Sequence, residues 1–249
     1  MILSQKQIEE IAAAVTKNFN EFFFGEDADV CMPRATPIDQ FAKDYLGLQV
    51  SFAHLSSDGS ILGLTAYDDT KYIVEERGVT RTIPLKRNQV LLDESFLRPG
   101  QVRRQCGKRR FTLAHECAHQ ILFQMESDKV KLSCRKKYAT RTAYSLRDLK
   151  TNEDWNEWQA NVLGAAILMP QKEIDLAMWY FAAGQQLFNY EGKFSYRDQL
   201  ALNMLCRQFG VSKSAAVIRL RHLGYIVDRP YRISSSPLMT SALSLSTTM

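Results

Sequence analysis

Apolar positions at helical spacing mark the first part of the chain. One stripe begins after Ser4 and Gln7, which form a capping-box pattern for a helix start. Its members are three or four residues apart and predict an amphipathic helix that packs on a larger domain: Ile8, Ile11, Val15, Phe19 and Phe22. A second helix is predicted to begin at Thr36-Pro37, with Thr36 as N-cap, and to end near Gly47.

Shorter runs of β-branched and aromatic residues follow. Turn-forming pairs such as Asp58-Gly59 and Arg77-Gly78 separate them. Runs of this length between such breaks predict strands, at residues 48–52, 61–67, 71–75, 80–85 and 89–92. Short strands that are close together in the chain favour a small, mostly antiparallel sheet.

The helical pattern returns in residues 110–125. Its apolar or small positions are again three and four apart: Phe111, Ala114, Ala118, Ile121, Leu122 and Met125. His115 and His119 lie at the edge of this stripe, and Glu116 lies between them. The spacing therefore places both imidazoles on one face of a helix, beside a seam with another helix.

This HExxH pattern carries the candidate chemistry. Two histidines one turn apart can hold a single zinc ion with the glutamate beside it. Zinc lowers the pKa of a bound water, Glu116 accepts the proton, and the hydroxide attacks a carbonyl that the metal polarises. The alternative is a surface pair or a core-filling pair of histidines without a metal.

A catalytic zinc site needs a third protein ligand. His54 and His222 are the other histidines of the chain. Glu126 is excluded, because seven residues of helix place it on the order of 10 Å from His119. A carboxylate from another helix is required, and Glu157 is the best candidate.

Glu157 opens the string EWQANVLGAAILMP, which predicts a helix that stops at Pro170, with Asn152 or Asp154 as N-cap. Asn161 lies one turn further on the same face, so it can orient a ligand imidazole through the other ring nitrogen. The alternative interpretation of this segment is a buried helix that carries a surface glutamate.

Two strings together resemble the ImmA/IrrE family of zinc metallo-endopeptidases: RFTLAHECAHQILF at residues 110–123 and EWQANVLGAAILMP at residues 157–170. The resemblance implies that His115, His119 and Glu157 are zinc ligands and that Glu116 is the general base. It also implies a compact gluzincin-like domain in which an edge strand lies above the metal and pairs with extended substrate.

The departures from the family pattern are Cys117 and Ala118, where Leu-Gly is usual, and Gly164, where Ala is usual. None of them removes a ligand. The predicted fold class is therefore α+β: a small gluzincin-like zincin with a short, mostly antiparallel sheet, an HExxH helix and a second ligand helix, plus a C-terminal helix-turn-helix-like segment.

That C-terminal segment covers residues 195–226. Two short helices separated at residues 209–212 and closed by Gly224 are typical of a helix-turn-helix, with Ser212 as cap. Its locking apolar positions are Val211, Ala215 or Ala216, Ile218 and Leu220. Lys213, Arg219 and Arg221 form a basic side that could contact DNA phosphates. The resembled family often carries a similar segment inside its peptidase unit, so packing is preferred to DNA binding.

The chain is accordingly divided into residues 1–193 as the metallopeptidase domain, 194–228 as the helix-turn-helix-like segment packed on it, and 229–249 as a disordered tail. Candidates for stabilising an oxyanion stay open: His54, His222, Tyr67, Tyr138, Tyr144 or an arginine.

Composition and charge narrow the setting. No apolar run approaches the roughly 18 residues that span a bilayer, and the N-terminus lacks the layout of a secretion signal. The five cysteines are scattered without a CxxC pair, which indicates a reducing, cytoplasmic compartment and argues against a cysteine metal site.

The net charge is +5, and the basic residues crowd both sides of the HExxH motif. The cluster before it contains Arg98, Arg103, Arg104, Lys108, Arg109 and Arg110, and the cluster after it contains Lys129, Lys131, Arg135, Lys136, Lys137 and Arg141. A solvated surface is the usual explanation. The alternative is recognition of an acidic protein segment or a nucleic acid backbone.

The sequence thus predicts a zinc-dependent endopeptidase that cleaves a specific cytoplasmic protein, and the resemblance implies that the substrate is a transcriptional repressor. The alternative function is a metal-containing DNA- or protein-binding regulator without protease activity. No membrane association is expected.

Overall fold

Helices and strands both contribute to the fold. The computed structural model describes residues 2–25, 32–76, 79–129, 131 and 153–230. Within these residues the helices are α1 Gln5–Phe24, α2 Ile38–Gln40, α3 Val102–Met125, α4 Glu153–Leu168, α5 Gln171–Ala182, α6 Tyr196–Phe209 and α7 Lys213–His222. A π-helical turn, Phe41–Tyr45, continues α2, and a 3-10 turn, Glu94–Leu97, precedes α3. The predicted α+β class is confirmed at this level.

Helix α1 begins as its capping box predicts. Ser4 accepts a hydrogen bond from the backbone N–H of Gln7, and the Gln7 side chain accepts one from the backbone of Ser4. The buried face is centred on Ile8, Ala12, Thr16 and Phe19. Phe22 is 60% exposed, so its place in the buried stripe was predicted wrongly. The buried face passes through the small residues Ala12 and Thr16, so Phe22 lies at the exposed edge of that face.

The second helix is shorter than predicted and is capped differently. It begins at Ile38, and no side chain caps it. The hydroxyl of Thr36 donates instead to the carbonyl of Ile167, at 2.6 Å, near the end of α4. Thr36 therefore ties the loop before α2 to the ligand helix and is not an N-cap. Gly47 ends the segment with a φ of +66°.

The strands form three small sheets. Their bounds are β1 Gln49–Ala53, β2 Gly63–Thr65, β3 Thr70–Glu76, β4 Val79–Leu85, β5 Gln89–Asp93, β6 Leu187–Tyr190, β7 Lys193–Phe194 and β8 Ile226–Arg229. The first sheet has the order β1-β5-β2, with β1 parallel and β2 antiparallel to β5. Strands β3 and β4 form a hairpin, and β6 lies between β7 and β8, parallel to β8.

The expectation of one mostly antiparallel sheet is therefore wrong. The five predicted strands exist, but local alternation does not encode which strand pairs with which. The parallel pair of β1 and β5 needs a long crossover, which β2, β3 and β4 supply. The sheet of β6, β7 and β8 and helix α5 were missed, although the two-residue connection Glu191-Gly192, with positive φ at both positions, is a hairpin signal.

Two hydrophobic cores lie on either side of β5. Val90 and Leu92 contribute to the main core, which contains α3, α4, α1 and the C-terminal helices. Leu91 points the opposite way, into a second cluster beneath the hairpin. The second cluster consists of Leu55, Leu64, Ala66, Tyr72, Val74, Leu85 and Leu91. The opposite side-chain directions along β5 follow from the two-residue period of a strand.

The C-terminal helices pack into the main core. Helix α6 ends at Gly210, whose φ of +60° suits glycine, and Ser212 caps α7 by accepting from Ala215 N–H. The locking positions Val211, Ala216 and Leu220 are buried, whereas Ile218 is 52% exposed and was predicted wrongly. The proposed boundary after residue 193 falls within β7 and remains a prediction, as does the assignment of the tail.

Nowhere in the described part of the chain does a helix combine the length and apolar character needed to span a bilayer.

Candidate metal centre

The two ligand helices approach each other at a glycine. Gly164 of α4 lies directly on α3: a Cβ at this position would be 3.0 Å from the backbone nitrogen of His115 and 3.1 Å from the carbonyl carbon of Ala114. Such contacts are closer than side chains normally permit. Gly164 therefore allows the helix backbones to approach at the level of His115 and brings Glu157, two turns earlier on α4, alongside the HExxH face.

Three donor atoms converge at this seam. Nε2 of His115 and Nε2 of His119 are 3.0 Å apart. Oε2 of Glu157 lies 3.1 Å from the first nitrogen, and Oε1 lies 3.2 Å from the second. The imidazoles are largely buried and Glu157 is about half exposed. The cluster is thus closed toward the core and open on one side.

The chemistry of this donor set fits a zinc ion. A tetrahedral ion with bonds of about 2.0–2.1 Å holds its ligand atoms about 3.3 Å from one another. The three separations above are close to that value, and among the described residues these three form a group that could hold a metal. Two Nε2 atoms that face each other at 3.0 Å also need a proton or a cation between their lone pairs.

The electrostatics favour an anionic third ligand. For Glu157, burial would raise the pKa, but hydrogen bonds from both imidazoles outweigh it and hold the pKa well below its usual range. For His115, burial would lower the pKa, but the hydrogen bond to Glu157 and the nearby carboxylate charges raise it overall. The carboxylate and the imidazole pair thus stabilise each other's charge, as a cation between them would.

Glu116 lies on the adjoining side of α3, between that helix and strand β2. It is 5% exposed, and burial raises its pKa, which moves a carboxylate toward the range of a useful general base. A Cβ on Gly63 of β2 would be 2.5 Å from Oε1 of Glu116 and 2.6 Å from Thr112 Cγ2. Gly63 therefore makes the space for the carboxylate. It was missed in the sequence, although an isolated glycine in a strand pattern signals a close approach.

Strand β2 is an edge strand beside this carboxylate. Leu62 and Ala66, at its two ends, direct backbone hydrogen bonds toward β5 and the turn before it. Because backbone groups alternate along a strand, Gly63 and Thr65 present theirs at the opposite edge. No strand among the described residues pairs with that edge. Gln120 of α3 fixes the strand by donating to Thr65 Oγ1 and to the carbonyl of Ala66.

The role assigned to Asn161 stays a prediction. The residue is one turn beyond Glu157 on α4 and is exposed. Nδ1 of His115, the atom it is expected to orient, is buried, and an interaction with Asn161 is the smallest of the contributions that raise the pKa of this imidazole. The N-cap of α4 is not Asp154, which lies inside the helix, and Asn152 is outside the described residues.

The candidates for an oxyanion donor are dispersed. Tyr67 stacks on Phe123 at a centroid distance of 4.3 Å, and Nδ1 of His54 lies 3.8 Å from Glu94 Oε1. His222 is exposed in the last turn of α7. Tyr138 and Tyr144 lie outside the described residues, as do the basic residues from Arg135 to Arg141. Neither His54 nor His222 belongs to the His-His-Glu cluster.

The basic side predicted for α7 is not a free surface. Arg219 is 1% exposed and bound on both guanidinium ends by the carboxylate of Glu9. Arg221 pairs with Asp228 at 2.9 Å, and Lys213 Nζ donates to Gln199 at 2.7 Å. The expectation that these three cations could contact DNA phosphates is therefore wrong for Arg219, which is enclosed by the fold.

Comparison with known proteins agrees with the motifs. Residues 103–221 match the family model for Peptidase M78, the IrrE N-terminal-like domain. No curated protein matches the chain. A solved Mycobacterium tuberculosis transcriptional regulator is similar at 15% identity and a TM-score of 0.41, over 82% of this chain and 55% of that one. The chain thus spans about half of that structure, and a likeness at this level does not establish a shared fold.

The matched stretch includes the HExxH helix, the ligand helix and the C-terminal helix pair. Residues 103–221, just under half of the chain, therefore match an IrrE N-terminal-like domain, and this match supports the resemblance to the ImmA/IrrE family that the two motifs carry.

Proposed function

We propose that the protein is a zinc-dependent endopeptidase that cleaves a specific protein in the cytoplasm, a transcriptional repressor as the family resemblance implies. The observation that carries the proposal is the convergence of His115, His119 and Glu157 within 3.2 Å, with Glu116 beside them. The scattered cysteines support the cytoplasmic setting.

His115, His119 and Glu157 would hold the metal. Zinc bound there supplies a Lewis acid that lowers the pKa of water and polarises a carbonyl. Glu116 takes the proton from the attacking water and delivers it to the leaving amine nitrogen, so the peptide bond breaks without a free hydroxide. Its raised pKa suits both directions of transfer.

Strand β2 would position the substrate. Its open edge runs beside Glu116, so an extended peptide that pairs with this edge has a backbone carbonyl within reach of the seam. An extended segment is needed, which favours a mobile linker in the substrate over a folded element. Gly63 supports this arrangement because any larger residue would displace the base.

The arrangement favours catalysis over a structural metal. Structural zinc sites are closed by four protein ligands, whereas catalytic sites use three and leave one position open. Three candidate ligands converge among the described residues, and the third is about half exposed. The competing regulator hypothesis also loses one of the three cations expected to contact DNA, since Arg219 is buried against Glu9.

Two variants test the proposal. Glu116→Gln should retain about one zinc per chain by elemental analysis and lose cleavage, because the amide cannot accept the proton. His119→Ala should lose the metal as well. Cleavage is read as new N-termini in a native extract of the source cells, by mass spectrometry. The exposed Glu10→Gln variant is the matched control and should behave as the parent.

Equal cleavage by the Glu116→Gln variant would remove the mechanism. Full metal retention by His119→Ala would remove the ligand assignment.

A further inference from the structure

The basic residues before the HExxH motif divide into two groups. Arg109 makes a bidentate pair with Asp39, at 2.8 and 2.7 Å, and Arg110 donates to the carbonyl of Thr36, at 2.9 Å. These two hold the fold together. Arg104 and Lys108 are exposed and form no ion pair with a described residue. Their charge is therefore available to a partner.

The direction of Arg104 and Lys108 on α3 links them to the metal centre. They precede His115 by eleven and seven residues, and at 100° per residue both return within about 20° of the His115 direction. The face of α3 that carries the largely buried imidazoles therefore continues toward the start of the helix as an exposed line of two cations. Along the helix axis Arg104 lies about 16 Å and Lys108 about 10 Å from His115.

The spacing of this line matches an extended peptide. Lys108 and Arg104 are one helical turn apart, about 6 Å, and side chains on one face of a strand repeat every 6.6 Å or so. The distance of about 10 Å from His115 to Lys108 corresponds to three residues of a strand. A peptide whose scissile bond lies at the seam would thus bring its third and fifth residues from that bond to the two cations.

The polarity of the peptide follows from β2. Gly63 contacts Thr112 and Glu116 of α3, and Thr65 contacts Gln120, so β2 and α3 run in the same direction. A peptide that pairs antiparallel to β2, the more stable pairing, runs the opposite way. Its C-terminal half then lies along the N-terminal half of α3, over Lys108 and Arg104.

We propose that the substrate carries acidic side chains at the third and fifth positions on the C-terminal side of the cleaved bond, and that Lys108 and Arg104 recognise them. This inference rests on the proposed function for the location of the bond, but not for the charge preference. Nucleic acid is the less suitable partner, because the line of cations leads into the seam and the cations of α7 are engaged within the protein.

The test selects ligands from a pool of random dodecapeptides. Zinc-loaded Glu116→Gln protein is immobilised, and bound peptides are sequenced. We expect enrichment of Asp or Glu two positions apart. Arg104→Glu and Lys108→Glu, each placed in this background, should weaken binding of an enriched peptide by about five- to tenfold at low salt, as expected for loss and reversal of an exposed pair. The effect should shrink as salt rises.

Arg103→Glu is the matched control. The residue is the neighbour of Arg104, is exposed and undergoes the same charge change, but it points about 120° away from His115. It should alter binding less than twofold. A charge swap adds a second criterion: peptides with Lys at the acidic positions should regain binding to the Arg104→Glu and Lys108→Glu variants.

Cleavage mapping with the active protein then fixes the register. Acidic enrichment at the third and fifth positions after the bond supports the inference, and enrichment before the bond overturns it. Cleavage without any acidic preference overturns the inference and leaves the proposed function standing. Charge-dependent binding without cleavage overturns the proposed function and supports only the recognition of acidic side chains by Lys108 and Arg104. Tighter, equally charge-sensitive binding of random duplex DNA would assign the surface to nucleic acid and overturn the inference.

Discussion

Arg219 of α7 and Glu157 of α4 both carry charge across a helix interface, but their surroundings differ. Every guanidinium nitrogen of Arg219 has a partner: Glu9 binds the two terminal nitrogens, and Nε donates to the carbonyl of Met169 at 3.0 Å. At the seam of α3 and α4, two imidazole nitrogens face each other and the Glu157 carboxylate is about half exposed.

The difference separates architecture from chemistry. A buried charge whose hydrogen bonds are complete stabilises one arrangement of the chain and has no capacity left for a ligand. Donor atoms that converge with incomplete bonding have that capacity. By this criterion Arg219 of α7 is a structural charge despite the basic sequence around it, and α3 carries the candidate ligand site.

Removing the Arg219 clamp should have the largest effect on stability. Arg219→Met leaves the carboxylate of Glu9 and the carbonyl of Met169 without their partner, and should lower the free energy of unfolding by about 3–5 kcal/mol. Urea denaturation of the zinc-free protein measures it. The double variant Arg219→Met with Glu9→Leu should recover most of the loss. A variant that keeps its stability but loses zinc would erase the distinction between clamp and seam.

Enlarging Gly164 tests the seam itself. Gly164→Val should force the α3 and α4 backbones apart and cost about 1–3 kcal/mol, the usual penalty for overpacking. Zinc affinity, measured by competition with a chelator, should fall as well because Glu157 moves with α4. Ala165→Val, one residue further on α4, is the matched control and should leave zinc affinity unchanged. Normal zinc affinity in Gly164→Val would show that the close approach is unnecessary.

Gly63→Ala probes the base without touching the ligands. The added methyl would meet Oε1 of Glu116, the mobile end of a side chain, so the carboxylate shifts while the fold tolerates the change. We expect a roughly tenfold drop in kcat, about 1.4 kcal/mol, with zinc content unchanged. Combining it with Glu116→Asp, which keeps a carboxylate and residual activity, should cause a less than additive loss, since both changes act on one group. An additive loss would indicate that Gly63 affects substrate binding and does not act through Glu116.

The ion pair of Asp39 and Arg109 is partly exposed, so its removal should have the smallest effect on the free energy of unfolding. The hydrogen bond from Arg109 holds the pKa of Asp39 below its ordinary value, although burial alone would raise it. The stabilisation is therefore present above pH 4 or so, the unfolded pKa, and is lost as pH falls through the lower folded pKa. Because both side chains reach solvent, the difference between the parent and Asp39→Asn should be at most about 1 kcal/mol at pH 7.

That difference is measured as the free energy of unfolding of zinc-free protein at several pH values. It should narrow toward pH 2–3, where the carboxyl becomes neutral. A difference that grows with acid would mean that Asp39 is destabilising.

Local sequence patterns are sufficient to predict the HExxH face of the seam but not the residues that surround it. His115, Glu116 and His119 lie on one helix, so the 3.6-residue period places them together. The prediction of Glu157 as third ligand required a second predicted helix and the resemblance to a known family. Gly63 and Gln120 depend on where β2 packs, and strand pairing is not encoded in short-range alternation.

The wrong prediction for Arg219 has a similar cause. A basic residue in a helix is exposed in most proteins, so Arg219 looked like a surface cation. Its partner, Glu9, is 210 residues away in the chain, and nothing near Arg219 announces it. Conversely, Arg104 and Lys108 were visible as part of a basic cluster, but only the helix direction relative to the metal face distinguishes them from Arg103.

The second core connects the hairpin of β3 and β4 to the candidate metal centre. Leu64 of β2 is anchored in that core with Tyr72 and Val74 of β3, while the neighbouring Gly63 touches the base. A displacement of the hairpin would therefore be transmitted to β2 through Leu64. Strand β2 is thus the element through which the hairpin and Glu116 are joined.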